Sequence, residues 1–201
     1  MRPKKRSVGR PAGTGQDVVL AIHAATLARL ENGGYEALRI EDVARAAGVN
    51  KTSIYRRYPT KAELVVAAIL GARKEDDAPT PTGHLRRDLI AHLEAKAERL
   101  RTPRGRAIAV ALTALEGPAV AAIAEELRRR RFVSPTDILD AAIARGELPK
   151  RTDTSLVKEL LLAPLYYRAI VLRAPLDRPS VEKMVDHVLR SLGVTKNRKA
   201  T

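Results

Sequence analysis

Residues 40–58 read Ile40-Glu41-Asp42-Val43-Ala44-Arg45-Ala46-Ala47-Gly48-Val49-Asn50-Lys51-Thr52-Ser53-Ile54-Tyr55-Arg56-Arg57-Tyr58. Two helices that cross tightly over a short turn need a small residue inside the first, a turn residue that accepts left-handed geometry, and an apolar anchor in the second. Ala44, Gly48 and Ile54 meet those demands in order. The spacing therefore predicts a helix-turn-helix. Its first helix carries Ile40, Val43, Ala44 and Ala47 on one face and ends at Gly48, and its second runs from Lys51 to Arg57 before Tyr58-Pro59. An ordinary helical hairpin can share the Ala/Gly pattern. What favours nucleic acid is the polar face of the second helix, where Thr52, Ser53, Tyr55 and Arg56 can hydrogen-bond base edges or phosphates.

Upstream, residues 2–15 mix Gly, Pro and basic side chains without periodicity and read as a disordered basic arm (residues 1–15). A helix follows from Gln16, with Leu20, Ala24, Leu27 and Ala28 as its expected apolar stripe, until Asn32-Gly33-Gly34 stops it. Downstream, Thr60 reads as an N-cap with Glu63 at the capping-box position. The helix it opens carries Leu64, Val65, Ala68, Ile69 and Ala72. The domains expected are therefore a DNA-binding unit (16–60), a connecting helix (61–77) and, after the linker Ala78-Pro79-Thr80-Pro81-Thr82-Gly83, a body (78–201). In the body the helical pattern shows Leu85, Leu89 and Leu93, breaks at Thr102-Pro103 and resumes from Arg106 to Leu115. Further helices start at Gly117-Pro118 and Ser134-Pro135. Of the last two, Ser155 to Leu172 is apolar nearly all round, whereas Val181, Met184, Val185, Val188, Leu189 and Leu192 form an amphipathic stripe. No segment alternates with period two, so the fold class is all-α.

The charge agrees with an anionic partner. Residues 1–61 hold 12 Lys and Arg against 5 Asp and Glu, which is half of the chain's net charge of +14 in under a third of its 201 residues. Phosphate contacts by such residues release counterions, although a basic tail also serves solubility. Zero cysteines exclude disulfides, thiolate zinc sites and cysteine nucleophiles. No apolar stretch approaches the roughly 20 residues of a membrane span, and no export signal is read at the N-terminus, so a cytoplasmic chain without membrane partners is expected. His23, His84, His92 and His187 show no metal or acid–base spacing, and neither a phosphate-cradling glycine loop nor a nucleophile elbow is present. No enzyme, metal or cofactor is expected.

The first ~75 residues resemble the tetracycline-repressor (TetR) family of bacterial regulators. The matching features are Gly34-Tyr35, Val43-Ala44, Ala47-Gly48-Val49, Ile54-Tyr55, Tyr58-Pro59 and Lys61 with Leu64; Leu162-Ala163-Pro164-Leu165-Tyr166-Tyr167 looks like one TetR subgroup. The resemblance implies three DNA-binding helices, a fourth linking them to the body, and five or so more forming a ligand cavity and a dimer interface. It implies that Tyr55 and Lys61 contact backbone phosphate, and that Lys51, Thr52 and Arg56 approach base edges or phosphates. Tyr58 stands at an aromatic position where the subgroup usually has tryptophan, and is counted with them and with Ser53. Arg39 departs from the family's Thr or Ser N-cap and is expected to touch phosphate instead, while Arg10 of the arm is a candidate for an adjacent minor groove.

The expected ligand-cavity residues are Leu89, Leu93, Val110, Leu115, Ile123, Leu139, Leu161 and Leu165, with His92 as a polar handle, which favours a small hydrophobic effector. Leu172 and the stripe Val181 to Leu192 are expected to pair across a twofold axis into a homodimer. The function expected is that of a repressor binding a palindromic operator in double-stranded DNA and released by the effector. The competing possibility is a DNA-associated structural or partner-binding protein without a small ligand.

Overall fold

The computed structural model describes residues 15–72, 79–115, 117–129 and 133–194. These form helices and connecting turns with no strand among them: α1 (Gly15–Ala37), α2 (Ile40–Ala46), α3 (Lys51–Tyr55), α4 (Lys61–Gly71), α5 (Leu85–Arg101), α6 (Pro103–Ala114), α7 (Gly117–Arg129), α8 (Pro135–Ala144), α9 (Thr154–Tyr166) and α10 (Arg178–Ser191). The fold is an all-helical one with an N-terminal helix-turn-helix unit and a C-terminal helical body. Most helix starts follow from short polar side chains taking up otherwise orphaned backbone N–H groups. Thr60 accepts from the Glu63 amide, Thr102 from Gly105, Asp153 from Ser155 and Leu156, and Asp177 from Ser180. Ser134 and Asp137 satisfy each other's backbone in a capping box, with a proline next to open the helix. Gly34, at φ 72 and ψ −177, interrupts α1 where the glycine pair predicts a stop.

The stripe of α1 is rotated from the sequence expectation. Leu20 is 56% exposed and Ala24 also faces out, while Ile22, Thr26, Leu27 and Leu30 are buried. Residues 18–30 carry enough apolar side chains to draw two overlapping stripes, and the buried one runs through a threonine. Thr26 is tolerated there because its hydroxyl donates to the Ile22 carbonyl at 2.8 Å.

Two apolar cores result. One lies in the body, where α5, α8, α9 and α10 bring together fully buried Leu89, Leu93, Leu139, Leu161, Leu165, Val181 and Val185. The other joins Ile22, Leu30, Val43, Ile54, Leu64 and Val65 of the head to Ala111, Leu115 and Ile123 of α6 and α7. The head is thus seated on α6 by the same apolar contacts that hold it together, each fully buried aliphatic side chain contributing about 1.5–3 kcal/mol. At the start of α5, Asp88 is 5% exposed. Its burial opposes the charged form, but the hydroxyl and amide of Thr82 and the amides of Gly83 and His84 donate to it, and they win, holding its pKa below the ordinary value. This carboxylate fixes the incoming chain. Across the body, Arg86 of α5 grips Asp186 of α10 through two parallel hydrogen bonds of 2.6 and 3.1 Å.

The expected dimer stripe requires a correction. Val181, Val185 and Leu189 are 0–3% exposed within the single chain, buried against α5 and α9, and Met184, Val188 and Leu192 are half-buried at the same core. An amphipathic period says that a face is covered but not by what, and here the chain itself covers Val181, Val185 and Leu189 and part of Met184, Val188 and Leu192. Leu172, by contrast, is 52% exposed. It continues a row on α9 and its extension, Leu156, Leu160, Tyr167 and Val171, each about half exposed or more. Pro164 lies inside that helix, and after Tyr166 the helix widens into a π-helical turn, Tyr167–Leu172, which ends at Arg173. A proline has no N–H to give the preceding turn, and such widening absorbs the fault.

Candidate nucleic-acid interface

Helix α3 is set by its two ends and one anchor. Gly48 takes φ 66, which a residue with a Cβ adopts reluctantly, and the Val49 amide closes the turn on the Ala44 carbonyl at 3.0 Å. Asn50 then caps α3, its side-chain oxygen accepting from the Thr52 amide at 2.9 Å. Ile54 is fully buried in the head core. With that face inward, Lys51, Thr52, Tyr55 and Arg56 are left exposed, Tyr55 at 43%, and Ser53 is half-buried. Four of the expected contact residues therefore share one solvent face of α3. Lys51 lies 3.8 Å from Glu41, an exposed pair that restrains it little. Arg57 donates to the Ser53 carbonyl at 3.2 Å and so braces the helix end. Arg39 stands exposed in extended conformation as N-cap of α2 and makes no side-chain cap, as its chemistry requires. Arg10 lies outside the described residues.

Two expected contact residues have intramolecular work. Tyr58 is half-buried and its hydroxyl shares a 2.9 Å hydrogen bond with Nε2 of His23 on α1. The ring belongs to the head core's edge, so Tyr58 acts within the chain as a strut between the end of α3 and α1. Burial raises its pKa, with Arg57 opposing, and burial lowers that of His23, so both members of the pair are held neutral. Lys61 donates from Nζ to the Tyr35 carbonyl at 3.1 Å, with its ammonium 4.3 Å from that ring's centre. One of its three donors is engaged, tying α4 to the corner between α1 and α2. Sequence reasoning missed Asn50, although an Asn directly before a helix is a readable N-cap signal. For His23 it noted only the lack of metal or acid–base spacing; nothing local pairs it with a tyrosine 35 positions away.

The expected effector residues fall apart into separate environments. Leu89, Leu93, Leu139, Leu161 and Leu165 interlock in the body core, Leu115 and Ile123 belong to the core that holds the head, and His92 is half-buried. Among the described residues, clefts of about 1250 and 780 Å³ open on the surface, and of the nine candidates only Val110 lines either of these, the smaller one. Among the described residues no cluster of three or more His, Cys, Asp or Glu could hold a metal, and no helix is long and apolar enough to cross a membrane.

Comparison with known proteins agrees with this geometry. Residues 22–68 match the family described as bacterial regulatory proteins, tetR family, and residues 79–188 match the tetracyclin repressor-like, C-terminal domain. The chain is 30% identical over 171 residues to the HTH-type transcriptional regulator Rv1556 of Mycobacterium tuberculosis, covering 83% of each. It is 32% identical over 174 residues to the DNA-binding transcriptional repressor TetR of Mycobacteroides abscessus, covering 84% of this chain and 90% of that one. The crystal structure of the TetR family transcription regulator SCO0332 superposes with a TM-score of 0.62 at 27% identity, over 87% of this chain and 97% of the other.

Proposed function

We propose that this chain, which belongs to the TetR family of bacterial transcriptional regulators, is a repressor that binds a palindromic operator as a homodimer and lets go when a small, largely apolar effector binds. The observation that carries the proposal is the exposed polar face of α3, with Lys51, Thr52, Tyr55 and Arg56 turned outward by the buried Ile54. A helix so presented fits the major groove, with Thr52 and Arg56 at base edges and Tyr55 at the backbone. Lys51, Ser53, Arg39 and the arm's Arg10 supply the electrostatic remainder.

Dimerisation is assigned to the outward row Leu156, Leu160, Tyr167, Val171 and Leu172. So many apolar side chains on one helix call for a covering surface, and a second copy of the same face supplies it across a twofold axis. The two recognition helices then stand roughly 34–36 Å apart, one DNA turn, or a multiple thereof. The decisive experiment is selection of bound duplexes from a random pool, followed by anisotropy titration of the winner. A palindromic consensus bound by a dimer is expected; absence of any enriched sequence, or an asymmetric one bound by a monomer, refutes the proposal.

A further inference from the structure

The cleft of about 780 Å³ lies on the seam between head and body, and its size suits a small organic molecule. Leu30, Glu31 and Gly34 of α1 form one wall, the corner between α5 and α6 a second, and the chain from Ala169 to Leu176 the third. Its floor is apolar, with Leu30, Leu100, Ala169 and Leu176 at 1–5% exposure and Val110 open to solvent at 42%. Its polar groups are lopsided: three guanidiniums, Arg101, Arg106 and Arg173, face a single carboxylate, Glu31.

That carboxylate is already engaged, since Arg104 of α6 reaches it at 3.4 Å. Two of the guanidiniums, Arg101 and Arg106, are held mainly by backbone oxygens, which orient a cation without neutralising it. Arg106 donates to the Arg101 carbonyl at 2.6 Å and that of Leu100 at 3.3 Å, and Arg101 donates to the Leu176 carbonyl at 3.1 Å while also meeting Glu98. Among the described residues no carboxylate lies within 4 Å of Arg106 or Arg173. Arg173 is moreover the one described non-glycine residue at positive φ, with φ 50 and ψ 34. A glycine would occupy that helix end without strain; the arginine accepts the strain and puts a guanidinium on the rim.

We infer that this seam is a binding site for an amphipathic organic carboxylate, whose anionic head is taken by Arg106 and Arg173 and whose apolar body lies on Leu30, Leu100, Val110 and Leu176. Arginine is suited to such a head because its planar fork holds both oxygens. A ligand there touches α1 directly, so it acts on the DNA-binding head without a relay through the body. This regulatory consequence rests on the repressor reading, whereas the site itself does not.

The test is calorimetric titration of the full chain with decanoate, with decanol of equal tail length, and with acetate. Decanoate should bind more tightly than decanol by about tenfold, the worth of one charge-assisted hydrogen bond, and acetate should give no heat. Arg106→Met and Arg173→Gly should each forfeit about that factor for decanoate and leave decanol unmoved, and Val110→Trp, which fills the cleft, should weaken both. Arg173→Gly also guards against misfolding, since glycine relaxes the left-handed backbone and the variant should melt no lower than the parent. Equal binding of decanoate and decanol, or decanoate affinity unchanged in all three variants, overturns the site. Decanoate should also release a selected operator from the parent, and from Arg106→Met only at about tenfold higher concentration. Binding of decanoate with unchanged operator affinity overturns its role as effector, and failure to bind any DNA overturns the repressor reading while leaving the titration standing.

Discussion

Two leucines separate the outward face of α9 from the inward face of α10, and exchanging each for glutamate should give opposite kinds of failure. Leu160 is 48% exposed in the single chain, whereas Leu189 is 3% exposed in the body core. In a free protomer Leu160→Glu puts a charge into water and should change stability by no more than about 0.5 kcal/mol. In the proposed dimer the twofold axis counts the change twice. Leu160 is already about half buried in the protomer, so dimerisation gains only about half of the roughly 2 kcal/mol of full burial; losing it twice is about 2 kcal/mol, close to thirtyfold in the dimer dissociation constant before repulsion between the new carboxylates is added. Leu189→Glu instead removes a core side chain worth about 2–5 kcal/mol and buries an unpaired charge costing several more, which is comparable to the whole stability of a domain. Sedimentation velocity at micromolar concentration, with circular dichroism melts, should show Leu160→Glu as a folded monomer and Leu189→Glu as unfolded or aggregated. If Leu189→Glu is a well-folded monomer and Leu160→Glu a normal dimer, the assignment of the two faces is reversed and the reasoning fails.

Other outcomes are equally specific. Arg56→Ala should cost about 1–3 kcal/mol on the selected operator and relax preference at one half-site position; equal loss on specific and random duplexes would make Arg56 a backbone contact. At the corner of α5 and α6 a Cβ on Gly105 would lie 1.9 Å from the Arg99 carbonyl oxygen. Gly105→Ala should therefore cost about 1–3 kcal/mol in a thermal melt, despite alanine's better helix propensity, and a melt matching the parent's would show that the corner yields freely. Burial lowers the pKa of His23 below its ordinary 6.5. Between the lowered value and 6.5 the unfolded chain binds a proton that the folded head refuses, so stability should fall as pH drops through that window and be unaffected above it. Melts of the parent and of His23→Gln between about pH 5 and pH 8 check this, and identical pH profiles would remove His23 from the account.

What could be read in the sequence was local. Gly48, Ile54 and the Thr60 cap each declare a conformation or a burial within a few residues, and all three stand where their chemistry puts them. The exposed positions of α3 follow from Ile54 by helix period alone. What could not be read depends on which surfaces meet. Leu115 and Ile123 have the same apolar character whether they line a cavity or seat the head. Tyr58 has the chemistry of a phosphate contact until His23 arrives from another helix to take its hydroxyl. The α10 stripe is equally compatible with a partner chain and with α5. The seam cleft drew no attention because its arginines, 101, 106 and 173, are scattered in a chain with 37 basic residues.

The shared core of the head and α6–α7 also bears on how such regulators can be recombined. Along the chain the natural cut is the Pro- and Thr-rich stretch at 79–83, yet the wall that Ala111, Leu115 and Ile123 build against Ile22, Leu64 and Val65 crosses that cut. A chimera joined there would receive a new head together with a foreign seat for it. The transferable cassette is therefore discontinuous, the first four helices plus the inner faces of two later ones, and a graft of new DNA specificity onto this body should exchange the outward residues of α3 and leave the packing beneath untouched.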